Sequence, residues 1–95
     1  MNGVPMAIRI HIPTPMRQQT DGQAVVEVEG TTVQAVLANL GQKFPGITQR
    51  VLENGQIRRF VNVYLNDEDI RYLDNLGTPV KDGDELSIIP AVAGG

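Results

Sequence analysis

The chain has 95 residues, of which 41% are hydrophobic and only 4% aromatic, so one small core filled by Val, Ile and Leu is expected. It has no cysteine and a single histidine, His11, which excludes disulfides, thiolate zinc sites and a cysteine nucleophile and leaves almost no material for a histidine-based site. Eight Lys and Arg against eleven Asp and Glu give a net charge of −3, which disfavours a nucleic-acid partner.

The hydropathy of the chain and its first residues predict the cellular location of the protein. No apolar run approaches the 18 or so residues of a membrane span, so no membrane association is expected. The first five residues lack the basic start and apolar stretch of a signal peptide, and a cytoplasmic protein is therefore predicted. No linker or repeat divides the chain, so residues 1–95 are predicted to form one domain with a tail at 91–95.

The first half of the chain predicts two strands and a helix. Ile8, Ile10 and Ile12 alternate with polar residues and predict a half-buried strand that ends at Pro13. Residues 16–23 are polar and predict a hairpin loop, and a second strand follows at 24–29. The Gly-Thr-Thr at 30–32 predicts a helix start with a threonine cap, and five apolar residues then recur at helical spacing: Val33, Val36, Leu37, Leu40 and Phe44.

In the second half, Pro45-Gly46 predicts the end of that helix, and one further helical turn is expected before Asn54-Gly55. A strand is predicted at 60–65, with Val61, Val63 and Leu65 facing the helix, followed by a turn at 66–69 and a short edge strand at 70–72. The last strand is predicted at 85–90. This order favours an α+β fold of the β-grasp (ubiquitin-like) type, a mixed sheet with one main helix on one face and a flexible carboxy-terminal Gly-Gly tail.

Acidic residues are concentrated between positions 66 and 85, where seven Asp and Glu accompany only Arg71 and Lys81. Asp67 and Asp69 have the opening spacing of a calcium loop, but the glycine that such a loop requires at its sixth position is missing. The segment at 82–85 is too short to encircle an ion. Solvated turns are the favoured interpretation, and no metal site is predicted. An acidic patch of this kind suits a basic protein partner.

Phe60 and Tyr64 are predicted to lie on the open face of the sheet, opposite the helix. Such a pair forms either a small second cluster or a docking patch, and docking is the favoured interpretation. Ile89 is expected to share this face, with Arg59 beside it. His11 is also expected there, as a surface histidine, because no nucleophile or acid lies near it in the sequence.

The chain ends in Ala91-Val92-Ala93-Gly94-Gly95, directly after a strand closed by Pro90. Fully extended, five residues reach about 17 Å, and the two glycines would pass through a narrow channel. From the residues alone, a frayed terminus and a tail that presents its carboxylate to another enzyme remain equally open.

The segment from Val80 to Gly95, with its Asp-Gly-Asp turn, apolar strand, proline, small residues and closing Gly-Gly, resembles the ubiquitin-like sulfur carriers of the MoaD/ThiS type. The segments at 12–14, 20–23 and 59–71 resemble the branch of that family that serves cysteine biosynthesis.

The resemblance implies a protein co-substrate rather than an enzyme, with no cofactor of its own. A ubiquitin-activating-type enzyme would consume ATP to adenylate the Gly95 carboxylate, and sulfur would then replace AMP to leave a thiocarboxylate. That group would attack an aminoacrylate formed from O-phosphoserine on a pyridoxal-phosphate (PLP) dependent cysteine synthase, and a zinc metalloprotease would release the cysteine. Docking to these partners is assigned to Val92, Ala93, Gly94, Phe60, Tyr64, Ile89 and Arg59.

Two alternatives stay open because the same fold serves other chemistry. The chain would be the small subunit of a molybdopterin synthase, or a ubiquitin-like protein modifier. The presence of only two lysines, Lys43 and Lys81, disfavours a modifier that forms chains.

Overall fold

A computed structural model describes residues 7–90. The first two strands, β1 (Ala7–His11) and β2 (Val25–Glu29), pair antiparallel, with Ile8 opposite Val28 and Ile10 opposite Val26. All four of these side chains are buried. The alternation of apolar and polar residues therefore correctly predicts both strands and the face that each one buries.

The connection between these strands is a 3-10 helix, Thr14–Thr20, where a hairpin loop was predicted. Met16 and Thr20, four positions apart in this helix, both have buried side chains. The Thr20 hydroxyl donates to the carbonyl oxygen of Gln23 at 2.9 Å, which offsets the cost of burying it. The prediction was wrong because this segment is polar in composition, although two of its residues are buried.

The main helix, α1, spans Val33–Lys43, and the Thr32 side chain caps it by accepting a hydrogen bond from the Ala35 N–H at 3.1 Å. Pro45 ends this helix as predicted. It also begins a second one, α2 (Pro45–Val51), because proline suits the first turn of a helix, where N–H groups have no partner. The predicted further turn is thus a seven-residue helix.

A small antiparallel ribbon follows, formed by β3 (Leu52–Glu53) and β4 (Gln56–Ile57). The turn between the two strands places Asn54 and Gly55 at positive φ, 54° and 77°, a conformation that these two residue types tolerate well. The ribbon itself was not predicted from the sequence.

The remaining strands are β5 (Val61–Leu65), β6 (Glu68–Asp69) and β7 (Glu85–Pro90). They complete a five-stranded sheet in the order β2-β1-β7-β5-β6, in which only β1 and β7 are parallel. The edge strand predicted at 70–72 is wrong. The edge strand is β6, inside the predicted turn, and Ile70–Tyr72 forms a 3-10 helix. Another 3-10 turn, Asn75–Gly77, precedes β7.

Residues of α1, α2 and the inner face of the sheet form one hydrophobic core. The helix covers one face of the mixed sheet, which is the β-grasp arrangement. At the outer edge of β2, Asn39 donates to the Glu29 carbonyl at 2.7 Å and Lys43 donates to the Glu27 carbonyl at 3.1 Å. None of the helices in the described part of the chain combines the length and the apolar character needed to cross a membrane.

The acidic turns are more ordered than the predicted solvated turns. Asp84 is buried, and its carboxylate accepts hydrogen bonds from the Asn66 side chain at 3.0 Å and from the Lys81 N–H at 2.9 Å. The Asp82 carboxylate accepts from the Ala7 N–H at 2.9 Å. These bonds fasten the start of β7 to β1 and to the β5–β6 turn, so both acids have structural roles.

Candidate functional site: the root of the tail and the open sheet face

The predicted tail residues Val92, Ala93, Gly94 and Gly95 lie outside the described residues. The root of the tail is Pro90, the last described residue. β7 carries the chain straight to Pro90, which lies opposite Val61 of β5. Since β1 runs parallel to β7, His11 and the end of β1 lie at this same end of the sheet. β7 therefore ends, at Pro90, between the end of β1 and the start of β5.

The face of the sheet opposite α1 can be followed from strand to strand through the register. His11 lies opposite Val25 and next to Ser87, which in turn lies opposite Tyr64. One step closer to the tail, Ile89 lies opposite Asn62. This face is the open sheet face, and the predicted alternation in β5 is confirmed because Val61, Val63 and Leu65 are all buried on the other side.

Among the described residues, two of the four exposed large apolar side chains lie beside the root of the tail. Phe60, immediately before β5, is 50% exposed, and Ile89 is 44% exposed. The Arg59 guanidinium lies 5.7 Å from the centre of the Phe60 ring, within the range of a cation–π contact. Phe60, Ile89 and Arg59 are thus brought together near Pro90, an arrangement that suits a docking surface with an apolar centre and a polar rim.

Tyr64 contributes less to this surface than its aromatic ring suggested. It is half-buried and lies farther from the tail, between Ser87 and Asp69 in the register. Two exposed apolar residues were missed by the sequence analysis, namely Val25, at 44%, and Tyr72, at 83%. The alternation in β2 could have revealed Val25, whereas Tyr72 was hidden by the wrong assignment of residues 70–72 to a strand.

His11 has an acidic partner that sequence distance concealed. Its Nε2 atom lies 2.6 Å from Oε1 of Glu85, which is 74 positions away, because β1 and β7 are neighbours. Both side chains are roughly half-exposed. A histidine–carboxylate pair is a component of general-base sites, but the chain has no cysteine, and the hydroxyl residues of this row are Ser87 and Tyr64. The pair joins two strands across the open sheet face.

A shallow depression of about 510 Å³ runs along the open sheet face to the root of the tail. Its lining includes residues from three segments: His11, Pro13, Arg17, Ser87, Ile89 and Pro90. Arg17 is held there by a 3.0 Å hydrogen bond from its Nε to the Ile12 carbonyl. The depression is open to solvent and reaches Pro90, the last described residue.

A second polar feature lies at the other edge of the sheet. The buried Asp69 carboxylate accepts from the Arg71 guanidinium at 2.7 Å and from the Arg71 N–H at 2.9 Å. The side-chain hydrogen bonds from Arg71 lower the pKa of Asp69, against the opposing effect of burial. The same carboxylate raises the pKa of Arg71. Within residues 7–90, His, Asp and Glu form no cluster of three that could hold a metal ion.

The ThiS family model matches residues 10–95, which is nearly the whole chain. The chain belongs to the ThiS family. The sulfur carrier protein CysO of Mycobacterium tuberculosis is 43% identical over 93 residues, covering 95% of this chain and 100% of that protein. The small archaeal modifier protein 3 of Haloferax volcanii is 37% identical over 67 residues, covering 70% and 73% of the two chains.

Among solved structures, a chain of the Amycolatopsis orientalis BexX/CysO complex superposes with a TM-score of 0.89 at 44% identity. The alignment covers 94% of this chain and 100% of that chain. The predicted ubiquitin-like β-grasp fold and the predicted membership of the sulfur-carrier family are thereby confirmed.

Proposed function

We propose that this protein carries sulfur as a thiocarboxylate on Gly95 and serves cysteine biosynthesis as a co-substrate of other enzymes. The single observation that supports this most strongly is the ThiS family match, which runs through residue 95 and so includes the Gly94-Gly95 ending. The likeness to sulfur carrier protein CysO over nearly the full chain favours the cysteine branch.

The chemistry requires little of the protein beyond its terminal carboxylate. In the activating partner, a Gly95 carboxylate oxygen attacks the α-phosphorus of ATP, and pyrophosphate leaves. A sulfur nucleophile then attacks the carbonyl carbon of the acyl adenylate, so that a C–S bond forms and the bond to AMP breaks. The carrier contributes position, because the sheet docks and the tail holds the reacting group within reach of the partner's site.

Docking is assigned to the surface around the root of the tail. Phe60 and Ile89 supply exposed apolar area, Arg59 supplies a positive rim, and Tyr64 lies at the far side of the same face. The partners we propose are the ubiquitin-activating-type enzyme, a PLP-dependent cysteine synthase and a zinc metalloprotease that releases the product. Val92, Ala93 and Gly94 would line the partner's channel.

Intact-mass spectrometry tests the proposal directly. The protein is incubated with ATP, a sulfide source and the adenylating enzyme of the same organism. The expected result is a mass gain that matches replacement of one oxygen by sulfur, localised to Gly95 by fragmentation. With an adenylating enzyme that turns over ATP on this carrier, an unchanged mass would contradict the proposal.

A second incubation tests the cysteine branch. The thiocarboxylate form is mixed with the cysteine synthase and O-phosphoserine, and a cysteine residue attached to Gly95 is expected in the mass spectrum. Sulfur loading without any cysteine adduct would keep the carrier function and refute the assignment to cysteine biosynthesis.

Protein modification is the second candidate, favoured by the likeness to the small archaeal modifier protein 3. Trypsin cleaves after Lys81 and nowhere closer to the terminus, so modification predicts peptides that carry residues 82–95 on a lysine in a trypsin-digested lysate of cells that express the protein. Their disappearance when Gly95 is deleted would link them to this chain.

A further inference from the structure

A second depression lies on the side of β5 that faces away from β7, and of its lining the proposed function uses Arg59 and no other residue. Its volume is about 430 Å³. We call it the edge groove and define it by six of its lining residues: Ile57, Arg58, Arg59, Val61, Arg71 and Leu76. These come from β4, the loop after it, β5 and the two 3-10 turns before β7, so five short segments enclose one concave surface.

The edge groove is positive in a protein of net charge −3. Three of the eight Lys and Arg of the chain line it, namely Arg58, Arg59 and Arg71. The one acidic residue in the lining, Asp69, offsets the charge of Arg71, so the net positive charge of the groove comes from Arg58 and Arg59. Arg58 lies 3.7 Å from the exposed Glu53, a separation at which a surface ion pair contributes little and the cation stays available.

Apolar side chains lie between these cations. Val61 is buried, while Ile57 and Leu76 are half-buried and packed against the core. A concave surface with an apolar base and charged walls selects a ligand that combines one apolar group with charges of the opposite sign. A free inorganic anion would use the arginines but leave the apolar base uncovered.

The location connects the edge groove to the root of the tail. Val61 lies opposite Pro90, and Arg59 contacts Phe60 of the docking surface. A segment bound in the groove would therefore hold the carrier from the edge of the sheet while a partner occupies the open sheet face. Pairing with a second copy of this chain is disfavoured because it would bring the two sets of arginines together.

We propose that the edge groove binds an acidic, extended segment of a partner protein, with one apolar side chain of that segment between Arg58 and Arg71. This interaction goes beyond the transfer chemistry, since it needs neither ATP nor Gly95. Its strength depends on charge and falls as the ionic strength rises.

The test is nuclear magnetic resonance titration of the ¹⁵N-labelled full chain with a synthetic hexapeptide of five acidic residues around one leucine, capped at both ends. Amide shifts are expected at Ile57, Arg58, Arg71 and Leu76, with weaker binding at higher salt. A peptide with lysines in place of the acidic residues is expected to cause none of them. Shifts elsewhere, or equal shifts with both peptides, would overturn the proposal.

A variant and its matched control test the role of charge. Arg58→Glu is expected to weaken peptide binding at least about fivefold. Lys81→Glu makes the same charge change away from the groove and is expected to leave binding within about twofold. Equal weakening by both variants would overturn the proposal. The amide spectrum of each free variant establishes that it is folded, and the two-peptide comparison stands without any variant.

Two further measurements exclude the other occupants. If inorganic phosphate produces the same shifts at the same concentration as the peptide, the groove is a small-anion site and the proposal is wrong. If sedimentation shows a dimer whose formation removes the peptide shifts, the occupant is a second copy and the proposal is also wrong. Because no step uses ATP, failure here leaves the mass measurements of sulfur loading unaffected.

Discussion

Pro90 lies opposite Val61 at the end of the ladder between β7 and β5. Proline has no N–H, and Val61 donates its own N–H to the Arg58 carbonyl at 3.0 Å rather than to β7. The ladder can therefore end at this pair without leaving the Val61 donor unpaired. The sheet therefore holds the chain in place up to Pro90, from which the proposed tail begins.

Deletion of Gly95 is expected to abolish sulfur loading, because the reacting carboxylate would then fall one residue short of its place in the partner. The buried core of the described residues ends at Ile88, so the free energy of unfolding is expected to change by less than about 0.5 kcal/mol. Intact mass measures the loading, and urea unfolding measures the stability.

A variant of unchanged length distinguishes the effect of tail length on sulfur loading from the effect of the terminal Gly-Gly sequence. One alanine is inserted before Ala91 while Gly95 is removed, which restores 95 residues but leaves a single terminal glycine. This variant is expected to remain unloaded. Recovery of loading would show that tail length alone matters and would contradict the assigned role of Gly94-Gly95.

Ile89→Ser is expected to weaken binding to the adenylating enzyme about tenfold, because it removes exposed apolar area next to the root of the tail. Val25→Ser is the matched control, since both side chains are 44% exposed and Val25 lies two strands away from β7. Isothermal titration calorimetry measures both affinities. Equal losses for the two variants would argue against a docking surface centred on Ile89.

Thr32→Ala is expected to lower the free energy of unfolding by about 1 kcal/mol, because the Ala35 N–H loses the hydroxyl that caps α1. Thr31→Ala serves as the control, since Thr31 is exposed and contributes its backbone carbonyl, which accepts from the Val80 N–H at 3.0 Å. Urea unfolding compares the two. A larger loss for Thr31→Ala would show that the cap is wrongly assigned.

The free energy of unfolding is expected to fall in acid, partly because the Asp69 carboxylate becomes protonated. Hydrogen bonds from Arg71 lower the pKa of this carboxyl in the folded state. The contribution of Asp69 to the free energy of unfolding is therefore fully present above the ordinary aspartate pKa of about 3.9, and it is lost as the pH falls through the lower pKa of the folded state. Asp69→Asn should therefore show a shallower loss of stability than the wild type below about pH 4.

Asp67→Asn is the control for this measurement, because Asp67 is an exposed neighbour in the β5–β6 turn. Its acid profile is expected to follow that of the wild type. Thermal unfolding across the acid range measures all three proteins. A wild-type profile as shallow as that of Asp69→Asn would show that the Arg71 contact does not stabilise the fold.

Local patterns predicted most of the fold. Alternating Ile8 and Ile10 identified a strand and its buried face, and Thr32 identified the start of a helix, since both signals act over a few residues. The shortest elements, such as the two-residue strand β6, could not be predicted from signals of this kind. The two strand residues of β6 pair only because the turn at Asn66-Asp67 folds them back onto β5.

The parts of the site that depend on which face of a strand a residue occupies were predictable from the sequence. The parts that depend on which strands become neighbours were not. Parity in β5 and β7 placed Asn62 and Ile89 on the open sheet face. The His11–Glu85 pair joins residues 74 positions apart. The edge groove is formed when the stretch 56–76 folds back on itself through several short elements, and no local pattern encodes either feature. The proposed reacting group follows from the family resemblance of the terminal Gly-Gly.

The outer edge of β2 has a consequence for how this protein meets other copies of itself. Asn39 and Lys43 occupy the carbonyl oxygens of Glu29 and Glu27, so an incoming strand would have to displace both side chains before it could extend the sheet there. Such protection disfavours domain exchange and fibril growth through this edge. Self-association of this carrier by strand addition is thereby restricted at the β2 edge.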